Sequence, residues 1–387
     1  MNADLMEAPA TPALGLTCSI ERTALLRIVS SIAPAAAVKS SLPVLGAIRL
    51  EAVDGRLVAT ATNLDTWVRA SAPAEVSTVG VALLAAPLLR DCIDRMPGGQ
   101  IQLRESAQRT TLKSGTARAA LNGLSGEEYP AMPTVRYGEE RLSWPALSAA
   151  LKRVAWAASS ESSRPIINGI SWRSAKGITK ICATSGHSLA LATLKVATPI
   201  EDAIIPATAV PMLLKLFAGE QEIEVGRGGA FDGNVSFIGF RSDDAEILIR
   251  LIDGPYPNYE QVIPTSDSAR MVRVPVAETV AAIRRVGVCA SATTRRISFT
   301  FRPQGCTVLA TTADLGESVD LVSSTGWEGD AFEIGFNREI ITAALTHAGS
   351  EEVDAAFRHE RGAGVFTPVT PSPDFDWLGL VMPMKLL

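Results

Sequence analysis

One outline occurs three times along the 387-residue chain, and a chain written this way is constrained to fold as tandem copies of one unit. The outline is an alternating apolar stretch, an Ala-Thr pair, a short polar turn and a second alternating stretch, which reads as two paired β-strands. It runs from Leu57 to Ala70, from Lys180 to Thr193 and from Thr307 to Asp320; aligned on Ala61, Ala183 and Ala310, the copies lie 122 and 127 residues apart. A helix-like segment precedes each copy, opening at Ile20, Leu142 and Val272, with starts 122 and 130 apart. Another follows, opening near Ala85, Pro206 and Gly335, spaced 121 and 129. Three markers keep one period. The expected class is therefore α+β, with strands and two helices in every unit.

Divided by three, the chain gives units of about 125 residues, each large enough for its own core. The expected boundaries are residues 15–136, 137–268 and 269–387, preceded by a disordered extension, Met1–Leu14. That extension is rich in Ala and Pro and carries acids but no basic residue, so it lacks the basic start and apolar centre of a signal peptide. With 47% apolar and 20% charged residues the composition is that of a soluble globular chain. No run approaches the roughly 18–20 uncharged apolar residues of a membrane span, so no membrane partner is expected. Five cysteines, Cys18, Cys92, Cys182, Cys289 and Cys306, are scattered without a Cys-x-x-Cys pair. This pattern points to reduced thiols in a cytoplasm, without a metal site.

In the first unit a helix is expected over Ile20–Ile32, with a loop containing Lys39 leading to the strand Ala47–Glu51 and a tight Asp54-Gly55 hairpin turn. A second helix spans Ala86–Arg95 and stops at Met96-Pro97-Gly98-Gly99, before strands near 100–105, 109–113 and 117–121. The segment Glu127–Val135 is a Pro-punctuated crossing, and its Tyr129-Pro130 returns as Tyr256-Pro257. The second unit follows with helices over 144–158 and 207–218, a strand at Asn168–Arg173, and strands within 221–252. The third closes on Val381-Met-Pro-Met-Lys-Leu-Leu387.

Net charge is −5, but its distribution is uneven. The six helix-like segments hold ten basic and five acidic residues, leaving 26 basic and 36 acidic residues elsewhere. Helices on one face and sheets on the other would then put a positive surface toward a polyanion. Helices also favour Lys and Arg on any solvated face, so charge alone leaves both readings open. Gly186-His187-Ser188 resembles the nucleophile elbow of a serine esterase of the α/β-hydrolase type, with His347 or His359 as base. Against it, Leu189–Val196 alternates as a strand where the elbow needs a helix, and the repeat puts Thr66 and Leu315 at the position of Ser188. Neither a P-loop nor a G-x-G-x-x-G follows any strand, so no cofactor is expected.

The three repeats, Leu42-Pro-Val-Leu-Gly46, Ala183-Thr-Ser-Gly-His187 with Leu189, Asp253-Gly-Pro-Tyr-Pro-Asn-Tyr259 and Val381-Met-Pro-Met384 resemble the bacterial DNA polymerase III β sliding clamps, over roughly residues 16–387. The resemblance implies three tandem clamp domains, with helices lining a hole and sheets outside, closed into a ring by a head-to-tail homodimer. It implies a DNA sliding clamp, a non-catalytic processivity factor that encircles double-stranded DNA without reading its sequence. The partners implied are the polymerase III catalytic subunit, a clamp loader and other proteins carrying a clamp-binding motif. A peptide pocket between the second and third domains would be formed by Ile167, Thr184, Gly186, His187, Leu189, Pro257, Val262, Leu380, Met382, Pro383 and Met384. DNA would be faced by Lys39, Arg164, Lys152, Arg153, Arg284 and Arg285. The chain departs from the family pattern at Ser185, Ser188, Gln261, Ile166 and Ile340, which bear on peptide preference. It departs at Pro87, where a basic residue is expected, and at Ala119, where a bulky aromatic is expected at the subunit interface. A monomeric scaffold that keeps the fold without ring closure is the remaining alternative.

Overall fold

The computed structural model describes residues 15–125, 128–229, 236–264 and 269–385, so the expected extension Met1–Leu14 lies outside the described residues. Six α-helices are present among them: α1 (Arg22–Ile32), α2 (Ala86–Asp94), α3 (Trp144–Val154), α4 (Val210–Leu216), α5 (Val276–Val286) and α6 (Arg338–His347). The first helix of each repeat is 11 residues long and runs into a three-residue 3₁₀ turn, at Ala33–Ala35, Ala155–Ala157 and Gly287–Cys289. Each buries one apolar stripe, as in α1, where Leu25, Ile28, Val29 and Ile32 are fully covered. Starts are set locally: Pro145 opens α3 behind the Ser143 cap, and the Asn337 side chain accepts from Glu339 N–H at 2.9 Å.

The helices expected at Ala86 and at 144 begin where the sequence pattern places them, whereas those expected from Ile20 and Val272 begin later, at Arg22 and Val276. The segments opening at Ile20, Leu142 and Val272 start as the ends of strands Thr17–Glu21, Thr134–Ser143 and Arg270–Pro275. In the first, Cys18 and Ile20 alternate inward and sit opposite Leu103 and Ile101, so sheet pairing claims the residues that a helical reading had absorbed. The Asp54-Gly55 turn forms as expected, with both residues at positive φ (49° and 71°), the geometry that matches strand twist in a two-residue hairpin.

The chain forms two compact units: residues up to 137 with 211–224 and 228–250, and residues 138–210 with 225–227 and 251–387. In the first unit, strand Thr66–Pro73, which follows the Ala-Thr turn of repeat one, pairs with Ala245–Arg250, the last strand of repeat two, placing Val68 opposite Ile247. The second unit repeats the joint: Ser188–Leu194 pairs with Phe375–Val381, the last strand of repeat three, placing Leu189 opposite Leu380. Two strands of the same kinds remain at sheet edges. Ala117–Asn122, the last strand of repeat one, ends a five-stranded sheet in the first unit. Gly316–Val322, which follows the Ala-Thr turn of repeat three, ends a four-stranded sheet in the second.

Candidate functional site

The Ala-Thr signature closes a turn. Thr184 Oγ1 donates to the Ser188 carbonyl at 2.7 Å and accepts from Gly186 N–H at 3.2 Å. Thr62 repeats this in the first copy, donating to the Thr66 carbonyl and accepting from Leu64 N–H, both at 2.9 Å. Gly186 holds φ +86°, a conformation that side chains other than glycine's avoid. The turn is further knitted by Ser185 Oγ, which accepts from Ser188 N–H at 3.2 Å and lies 2.9 Å from Ser188 Oγ.

Beside this turn, within the second unit, lies a cavity of about 670 Å³ with a predominantly apolar lining. Leu189 and Leu380 from the paired strands form its floor, with Ile166 and Ile167, Pro257 and Val262, and Met382 around it. Tyr256 braces the floor from below, accepting from Thr184 N–H at 3.1 Å and donating to the Gly169 carbonyl at 3.3 Å. Burial drives its hydroxyl pKa well above the ordinary tyrosine value. The surface is adaptable and greasy, suited to branched or aromatic side chains of an extended peptide.

Of the residues expected in a pocket, Ile167, Thr184, Gly186, Leu189, Pro257, Val262, Leu380 and Met382 line this cavity, whereas His187, Pro383 and Met384 do not. His187 and Met384 tether the terminal segment instead. The His187 carbonyl accepts from Met382 N–H at 2.9 Å, and Met384 N–H donates to the Gly335 carbonyl at 2.8 Å. Besides Ile166 and Ser188, expected only to bear on peptide preference, lining residues outside the expected set are Ser163, Pro165, Asn258 and Tyr259. The last two sit between Pro257 and Val262, so a turn there was signal enough. Arg164, expected toward DNA, also lines the cavity, with Glu161 at 3.6 Å.

The other expected DNA-facing cations divide. Lys39, Lys152 and Arg284 are exposed. Arg285 pairs with Asp320, and its hydrogen bond holds that carboxyl below the usual aspartate range. Arg153 turns inward: its guanidinium lies 5.1 Å from the Phe375 ring centroid, donates to the Gly349 carbonyl at 3.5 Å, and keeps one buried nitrogen without a hydrogen-bond partner among the described residues. The Arg153 carbonyl accepts from the indoles of both Trp156 (2.9 Å) and Trp377 (3.0 Å).

The esterase alternative fails on geometry. Ser188 opens a strand rather than a helix, is buried, and has its hydroxyl against Ser185. His347 bonds the Ala343 carbonyl at 2.8 Å and stacks on Trp156, while His359 accepts from Arg361 N–H at 3.3 Å. Neither reaches the serine. Among the described residues no helix is long and apolar enough to cross a membrane.

Comparison with known proteins gives a consistent picture. Residues 16–133 match the family model for the DNA polymerase III beta subunit N-terminal domain, and residues 142–258 match that for its central domain. A beta sliding clamp of Synechocystis is 27% identical over 386 residues, covering 93% of this chain and 96% of its own. One from Streptomyces coelicolor is 25% identical, covering 95% and 98%. Among solved structures, the beta subunit of Thermotoga maritima superposes with a TM-score of 0.85 at 23% identity, covering 96% of this chain and 100% of that one. A sliding clamp from Bartonella birtlesii, bound to griselimycin, gives 0.87 at 22%, covering 96% and 100%. At those identities the structures establish the fold.

Proposed function

We infer, for a chain that belongs to the bacterial DNA polymerase III beta subunit family of sliding clamps, a processivity factor that holds duplex DNA by enclosure and performs no bond chemistry itself. A closed ring leaves a duplex only over a free end, so weak, sequence-blind phosphate contacts are enough to keep it mobile without losing it. The three clamp domains, 15–136, 137–268 and 269–387, supply the repeating wall.

Sheet topology supports closure by a second copy. In repeats one and two, the strand after the Ala-Thr turn is sealed by the last strand of the following repeat. In repeat three the corresponding strand, Gly316–Val322, lies at a sheet edge and exposes Val319 (53%) and Leu321 (71%). The last strand of repeat one, Ala117–Asn122, is the matching edge; it carries the basic Arg118, and its counterpart carries the acidic Glu317. Long open edges of this kind ask for a partner strand. A head-to-tail homodimer provides one at each end.

The observation that carries the tethering role is the 670 Å³ apolar cavity at the Ala183–Leu189 turn, floored by the chain's last strand. We assign it to clamp-binding peptides of the polymerase catalytic subunit, the clamp loader and other cytoplasmic partners, with Leu or Phe as anchors. The test is calorimetric titration of a Leu/Phe-containing polymerase peptide into the full chain and into a chain lacking its last six residues. Loss of binding with the dimer intact is expected; unchanged affinity would refute the pocket.

A further inference from the structure

α1, α3 and α5 correspond residue for residue, which makes their differences readable. At the ninth position α3 carries Lys152 and α5 carries Arg284, both exposed, but α1 carries Ser30. The last turns of α3 and α5 are basic; that of α1 has no basic residue. An ammonium nevertheless occupies this place. Lys215 of α4, within the same unit, reaches over to donate from Nζ to the Ser30 carbonyl at 2.7 Å, and its side chain remains exposed.

We propose that Lys215 supplies, from a neighbouring helix of the same unit, the phosphate-contacting cation that the first repeat lacks at the ninth position of α1, the role that Lys152 and Arg284 fill each in its own repeat. The proposal rests on the enclosure reading above and names residues for it. Of the three ammonium N–H bonds only one is committed to Ser30, leaving donors for a phosphate oxygen. Arg153 and Arg285, next in sequence to Lys152 and Arg284, are already engaged by Phe375 and Gly349, and by Asp320.

A cation at a helix C-terminus also stabilises that helix, so a purely structural role for Lys215 makes a different prediction. The experiment follows binding of the full chain to fluorescent duplex DNA by anisotropy across a salt series, with thermal melting alongside. Lys215→Met is expected to lower the slope of log K against log salt by about 0.9 per chain in contact, as Lys152→Met and Arg284→Met do, with Lys215→Arg restoring it. Lys176→Met, removing the same charge from a sheet hairpin, leaves the slope as it is. A lower melting temperature with an unchanged slope would reduce Lys215 to a cap of α1 and overturn the proposal. A wild-type chain without DNA affinity at low salt would overturn the assignment of these cations as phosphate contacts, whereas the enclosure reading stands or falls on retention on closed circular DNA after loading.

Discussion

Val319→Pro should separate the subunits while leaving each folded. In the strand Gly316–Val322, Leu321 N–H is satisfied by the Asp320 side chain at 2.9 Å rather than by the neighbouring strand, so it points to the outer edge. Alternation along the strand puts the N–H of Val319 on the same side. Proline there removes an outward donor and places its ring where a partner strand would lie, but costs the inner ladder no hydrogen bond. Losing that bond, stranding the opposing carbonyl and straining the pair amount together to about 3 kcal/mol per interface. With two such interfaces in the dimer the loss is about 6 kcal/mol, an association weaker by on the order of 10⁴-fold. Sedimentation equilibrium over nanomolar to micromolar concentrations reads this directly: the 40.9 kDa chain should run at twice that mass as wild type and shift toward the single-chain mass in the variant. Thermal melting of the diluted variant should match that of diluted wild type. A variant that dimerises as wild type does would mean that this edge is not the closing surface.

Two further outcomes follow from the second unit and from buried hydroxyls and thiols. Gly349→Ala forces a side chain into φ +71° and pushes the Arg153 guanidinium aside, so it should destabilise the protein by about 1–2 kcal/mol in a denaturant melt, and a melt unchanged from wild type would contradict the left-handed backbone at this position. Burial raises the Cys18 thiol from 9.0 to about 11 and the Tyr129 hydroxyl from 10.0 to about 12, so the folded state binds these protons more tightly than the unfolded state. Their stabilisation is complete below the unfolded values and is lost as pH climbs through the folded ones, and the urea midpoint should fall between pH 9 and 12. A flat midpoint across that window would contradict the burial.

The repeat made most of the architecture legible, because a period survives even where single elements are ambiguous. The strands at 100–106, 109–114 and 117–122 stand out by alternation between polar turns. Strands that run straight into a helix were not legible: Gly80–Ala85 passes to α2 and Asp202–Pro206 to the turn before α4 without a loop between them. Helical and extended residues there share one apolar run, and only pairing with Ala47–Val53 or Gly169–Ala175 decides. The cavity was readable through short motifs such as Gly186 and Met382. Arg153 was not, since it looks like any basic residue on a helix until Gly349 and Phe375, about two hundred positions on, bring their backbone and ring against it.

Enclosure itself is tested by comparing retention on closed circular and linear duplexes after loading, at a salt concentration that suppresses simple phosphate binding. A ring should stay on the circle, run off the linear molecule, and be released when the circle is cut once. Equal loss from both, or retention on linear DNA with open ends, would contradict the account.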